Sequence, residues 1–229
     1  METLWNGICM EDGPFPLGTD SVACAWFSDF PKGSKICDLG CGSGAISLML
    51  LASDPTASVT GIEYMPEAAA IAKENALRCG LDFTVIEGDI RTISEYLPAG
   101  SMDCVISNPP YFAVGSGFAA NGILACARSE ETCDLSQLCS AAGWLLKTGG
   151  RFTLVHRPER LADLIWHLRN ARLEPKRIRF VRHRQDQPVS LVLLESRKGG
   201  KPGLRYEPDL VLYDVMGESD EYLRMYHRI

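Results

Sequence analysis

From Lys35 onward, short apolar runs alternate with helical patterns, and this alternation constrains the fold more than any other feature of the chain. A strand, a crossover helix and another strand give parallel neighbours, so successive units predict an open sheet with helices on both faces. KICDL, ASVTGIEY, DFTVIEG, MDCVISN and GRFTLVH read as strands. Gly44 to Ser53, Pro66 to Cys79, Glu130 to Lys147 and Pro158 to Arg172 read as helices, with Pro66 suited to a first turn and Thr148-Gly149-Gly150 ending the third. RIRFVRHRQ and PVSLVLLES are separated by a polar stretch too short for a crossover, which predicts an antiparallel hairpin. The expected fold is α/β, a seven-stranded mostly parallel sheet with one antiparallel strand near its edge.

At 229 residues, one domain with modest appendages is expected: a leading segment at 1–34, a main domain at 35–198 and a C-terminal extension at 199–229 packed on it. The extension reads as an extended strip followed by a short helix. Nine scattered cysteines, odd in number and never spaced as C-x-x-C, exclude a disulfide framework and a zinc ribbon, and no His or Cys cluster has metal-ligand spacing; no metal is expected. The N-terminus has no basic stretch leading into an apolar one, and no apolar run is long enough to span a bilayer, so the chain is expected in the cytoplasm, away from membranes.

The sharpest local signal is Asp38-Leu39-Gly40-Cys41-Gly42-Ser43-Gly44, directly after a strand and opening a helix. Glycines at 40, 42 and 44 let the backbone turn sharply and bring a ligand against main-chain N–H groups. The spacing is G-x-G-x-G, not the G-x-G-x-x-G of dinucleotide folds. Glu63 ends the next strand, where a carboxylate can accept both hydroxyls of a ribose. Together these point to a nucleoside-containing cofactor; a tight turn with a helix-capping acid is the bland alternative.

DLGCGSG, then GIEY, then Gly88-Asp89-Ile90, then Ser107 to Phe112 (SNPPYF) resembles, over roughly residues 15 to 195, the Rossmann-like class I S-adenosylmethionine-dependent methyltransferases. The resemblance implies that Asp38, Gly40, Gly42 and Gly44 hold the methionine part of the cofactor, that Glu63 binds ribose and that Asp89 holds the adenine amino group. Tyr64 and Ile90 would flank the adenine. S-adenosylmethionine is the implied cofactor and S-adenosylhomocysteine the product.

Asn108-Pro109-Pro110-Tyr111 speaks to the acceptor. The resemblance implies that the Asn side-chain oxygen and the first proline's carbonyl accept hydrogen bonds from a planar amino group. Two acceptors off the ring plane favour the tetrahedral nitrogen that develops during transfer. The resemblance also implies that Asn108 borders the cofactor, and Tyr111 can stack on an extruded base. Planar amines occur on adenine, cytosine, guanine and glutamine, so the motif leaves the acceptor open.

Three features favour adenine N6 in tRNA, on an unpaired anticodon-loop adenosine that needs little energy to expose. The segment Phe15 to Ser21 resembles that of bacterial tRNA (adenine-N6)-methyltransferases acting on a valine tRNA; its Gly18, Thr19 and Asp20 would close over the methionine end of the cofactor, or equally form a helix cap. Phe112 and the stretch around Arg128 resemble the same family, with Tyr111, Phe112 and Arg128 as substrate contacts. Finally, Lys147 to Lys201 holds 14 of the 23 Lys and Arg residues against 5 of the 29 acids in a chain of net charge −6, and Arg182 and Arg184 there suit RNA phosphates. The same strip also fits an edge strand with one wet face. A protein glutamine N5-methyltransferase of release-factor type, a guanine N2 rRNA methyltransferase and a non-catalytic cofactor-binding RNA partner are the alternatives. A monomer or homodimer is expected.

Overall fold

The structure is a computed structural model that describes residues 2–3, 8–11, 17–109 and 134–229. Pro110, Tyr111, Phe112 and Arg128, with Phe15 and Pro16, lie outside the described residues.

The elements in chain order are β1 (Glu2–Thr3), β2 (Cys9–Met10), α1 (Thr19–Phe27), β3 (Lys35–Leu39), α2 (Ala45–Ser53), β4 (Ser58–Glu63), α3 (Pro66–Cys79), β5 (Phe83–Glu87) and β6 (Met102–Ser107). They continue with α4 (Leu135–Leu145), β7 (Leu146–His156), α5 (Leu161–Asn170), β8 (Leu173–Arg184), β9 (Val189–Lys198), β10 (Arg205–Asp214), β11 (Gly217–Glu218) and α6 (Asp220–Met225). Local chemistry explains several boundaries. Pro66 opens α3, and Gly80 closes it in the left-handed conformation. Asp134 and Gln137 form a reciprocal capping box that starts α4.

The main sheet runs β11-β10-β8-β9-β7-β6-β3-β4-β5. It has nine strands rather than seven, because β10 pairs parallel with β8 and β11 turns back antiparallel on β10. The antiparallel β9 is not near the edge: it is inserted between β7 and β8, pairing with both. The strip of arginines on β8 is therefore interior to the sheet, covered on its far side by the C-terminal strand.

Side chains alternate between two apolar layers, as a sheet buried on both faces requires. Ile36, Ile106, Val155 and Leu193 point into a layer completed by α1, α2, α3 and α6. Cys37, Val105, Leu154 and Leu194 point into the opposite layer, completed by α4 and α5. Among the described residues no helix is long and apolar enough to cross a membrane.

The chain winds outward from β3 through β4 to β5, then returns to the other side of β3 as β6. Crevices at the carboxyl ends of strands flanking such a reversal are where open α/β sheets bind ligands. Asp38 of β3 lies in register with Ile106 of β6, so the glycine turn and Asn108 emerge side by side.

Candidate active site

The turn after β3 is built from backbone contacts. Gly40 and Cys41 donate their N–H groups to the Ile62 carbonyl at 2.9 and 3.1 Å, anchoring the turn to the end of β4. Gly40 has φ +74°, and a Cβ there would meet nothing within 4 Å, so the turn presents bare backbone to open space. Gly44 has φ +90°, and a Cβ would come within 2.9 Å of the Phe83 ring; glycine is required there by conformation and by packing.

Two carboxyls sit beneath and beside this turn. Asp38 is buried; its Oδ2 accepts from Ser47 Oγ at 2.7 Å, whereas Oδ1 has no hydrogen-bond partner among the described residues. Burial pushes its pKa up to about 7 against the pull of the Ser47 bond, and the nearby Glu63 raises it further. Glu63 is also buried and shifted upward by desolvation, an effect opposed by the N–H groups it accepts: Gly42 at 2.8 Å on Oε2 and Met65 at 2.8 Å on Oε1. Each oxygen retains acceptor capacity for a ribose hydroxyl. Asp89, following β5, is half-buried and lowered by Arg91, whose Nε reaches both carboxylate oxygens at 2.8 and 3.0 Å. Asn75, fully buried on α3, donates to the Ser43 carbonyl at 3.0 Å and exchanges hydrogen bonds with the Glu11 backbone, bracing the turn from behind.

Asn108 lies one residue beyond β6. Its Nδ2 donates to Ser21 Oγ on α1 at 2.9 Å. The preceding residue, Ser107, is buried and donates its hydroxyl to the Leu39 carbonyl at 2.7 Å, tying the end of β6 to the end of β3. Pro109 follows, half-buried. Gly18 caps α1, and Thr19 Oγ1 accepts from Tyr226 Oη at 3.3 Å. Gly18, Thr19, Asp38, Gly40, Gly42, Gly44, Glu63 and Asn108 thus surround the switch point, with Asp89 beyond them at the end of β5.

The arginines of β8 are placed differently. Arg177 pairs with Glu195 and Glu207 at 2.8 and 2.7 Å and stacks on the Phe27 ring. Arg179 grips both oxygens of Glu221 at 2.6 Å, and Glu221 also accepts from Trp26 of α1. Arg182 pairs with Asp209 at 2.6 Å and donates to the Gln187 carbonyl. These cations bind the acidic extension to the sheet and to α1. Arg184 is exposed and contacts the Asp214 carbonyl at 3.0 Å.

His156, at the end of β7, is buried and held down to a pKa of about 4 by desolvation, so it is neutral near pH 7. Burial raises the Cys24 and Cys41 thiols, which removes them as nucleophiles. No group of three or more potential ligands that could hold a metal ion occurs among the described residues. Ser47, Asn75 and Tyr226 escape sequence reasoning, since each acts through a partner at least nine residues away and none belongs to a local pattern; Ser21 ends the segment Phe15 to Ser21, but its partner Asn108 lies 87 positions on.

The profile of the methyltransferase small domain matches residues 18–165, a span that includes the turn, Glu63, Asp89 and Asn108. The chain belongs to that family. A Porphyromonas gingivalis protein named tRNA1(Val) (adenine(37)-N6)-methyltransferase is 33% identical over 220 residues, 91% of this chain and 86% of the relative. A Deinococcus radiodurans release factor glutamine methyltransferase is 32% identical over 165 residues, 66% of this chain and 58% of the relative. Among solved structures, a predicted O-methyltransferase from Agrobacterium tumefaciens shares the fold with a TM-score of 0.75 at 20% identity, covering 91% of this chain and 95% of that one. The fold is that of a class I S-adenosylmethionine-dependent methyltransferase, and the chain is such an enzyme. The residues fit the cofactor: it carries a sulfonium and an ammonium, and the switch point offers a bare glycine turn, a buried carboxyl lacking one partner and Glu63 with acceptor capacity to spare.

Proposed function

We propose that the chain methylates an exocyclic amine, the N6 of an unpaired adenine in tRNA, in the cytoplasm. The observation that carries this reading is Asn108 at the switch point, beside the glycine turn, with its amide donor engaged by Ser21. The names of the relatives that match over most of the chain support adenine as the acceptor.

When bound, S-adenosylmethionine supplies a methyl group on a positively charged sulfur, which departs as a neutral thioether. Gly40, Gly42 and Gly44 would cradle its methionine portion, Asp38 would offset its positive charge, and Glu63 would take the ribose hydroxyls. Asp89 would turn from Arg91 to the adenine amine. Asn108 Oδ1 then accepts a hydrogen bond from the acceptor amine. An aromatic amine is a poor nucleophile because its lone pair is conjugated into the ring; an acceptor off the ring plane favours the tetrahedral nitrogen and frees that pair. The nitrogen sheds one proton to water after the new bond forms, so no side chain of matched pKa is needed. Tyr111 and Phe112 would stack on the base, with Arg128 and Arg184 on phosphates. Arg182 would contribute there only by loosening its hold on Asp209.

The test is transfer of labelled methyl from S-adenosylmethionine into unmodified tRNA, ribosomal RNA and protein in parallel, followed by nucleoside analysis. N6-methyladenosine in tRNA is the expected product. Label in release factors would instead favour glutamine, as the Deinococcus relative suggests; label as N2-methylguanosine in ribosomal RNA would overturn adenine.

A further inference from the structure

Asn108 is useful only if its side chain is held where the acceptor amine arrives. Sequence motifs name the asparagine but say nothing of what holds it there.

We propose that Ser21 is the positioning residue for Asn108, anchoring its side-chain amide to α1 at the carboxyl end of β6. Ser21 Oγ takes the Nδ2 hydrogen bond at 2.9 Å across 87 positions of sequence. The serine is itself held: its N–H donates to the Gly18 carbonyl at 3.1 Å and to Asp20 Oδ1 at 2.8 Å, in the first turn of α1. That helix is anchored along its length. Thr19 meets Tyr226, Cys24 Sγ approaches the Ser107 carbonyl at 3.7 Å, Trp26 donates to Glu221, and the Phe27 ring lies under Arg177. A hydroxyl on so fixed a helix gives the Asn108 side chain a fixed anchor, the preorganisation that transition-state stabilisation demands. Ser21 touches no reacting atom; it acts through Asn108.

This inference rests on the amine-acceptor reading, so the experiment separates the two. Wild-type protein, Ser21→Ala and Ser21→Thr are compared for single-turnover methylation of whichever acceptor the wild type labels, with S-adenosylhomocysteine affinity measured alongside. Ser21→Ala should lose roughly ten- to hundredfold in the methylation rate with cofactor affinity held within about twofold, and Ser21→Thr should recover most of the rate because it keeps the hydroxyl. The ¹⁵N resonance of the Asn108 side-chain amide, assigned with Asn108→Ala, should shift in Ser21→Ala and stay near its wild-type position in Ser21→Thr. An Ser21→Ala variant with wild-type rate, with an unmoved Asn108 resonance, or with rate and cofactor affinity falling together overturns the role of Ser21 while leaving the amine reading intact. A wild type that labels no amine or amide nitrogen overturns that reading and the positioning role with it.

Discussion

Charged groups at the two halves of the sheet are treated in opposite ways. Around the β3–β6 switch point, Asp38 is buried with one oxygen that has no hydrogen-bond partner among the described residues, and Glu63 is held by backbone N–H groups. Across β8 and β10, Arg177, Arg179 and Arg182 are each matched to one or more carboxylates of the chain itself. The first arrangement leaves interactions for a ligand to complete. The second completes them internally and converts what looks in sequence like a polyanion-binding strip into the fastening of the C-terminal extension.

Arg177→Ala should separate the two halves most strongly. It leaves Glu195, whose side chain is only 7% exposed, without its cation, and removes the stack on Phe27. Urea unfolding should show a loss of about 3 kcal/mol, and an unchanged midpoint would mean the ion pairs are incidental to the fold.

Asp38 should report its strain through pH. Its folded pKa of about 7 lies well above the ordinary carboxyl value near 3.9, so between those limits the folded protein keeps a proton that the unfolded chain has released. Stability contributed by the protonated form is complete below about pH 4, falls by at most ~1.4 kcal/mol per pH unit as pH rises, and levels off above about pH 7. Asp38→Asn should remove this component, so the variant gains on the wild type from pH 5 to pH 8. The difference between the two isolates Asp38 from His156, whose depressed pKa gives the opposite slope.

The smallest effect is expected at Arg184. Exposed and bonded to a carbonyl, it is the arginine of this strand best able to reach a phosphate without breaking an ion pair. Arg184→Glu should weaken tRNA binding about three- to tenfold and reduce the salt slope by about 1, with unfolding unchanged within about 0.5 kcal/mol. Unchanged affinity would assign the whole basic strand to structure.

The parts of the site that could be read from sequence are those written in neighbouring residues. The glycine turn, the acid ending β4 and the asparagine ending β6 are each recognisable because strand period and turn chemistry are local. The partners of those residues are not local. Ser47 under Asp38, Asn75 behind Ser43 and Ser21 beside Asn108 are ordinary polar residues until the fold brings them together. The strand count failed for the same reason: β10 carries a proline and several charges, and only pairing with β8 makes it a strand of the sheet.

Alternating apolar runs and proline and glycine punctuation by themselves determined the α/β class and the parallel core of the sheet, and the motifs from DLGCGSG to SNPPYF carried the resemblance to the family, because these features act within a few residues. Tertiary structure alone decided that β9 inserts between β7 and β8, that the arginines of β8 meet acids up to 42 residues away, and that a serine in the first helix meets the asparagine that follows β6. The physical reason is that hydrogen bonds and ion pairs depend on distances of about 3 Å in space, which a linear pattern encodes only when the two groups are also near in the chain.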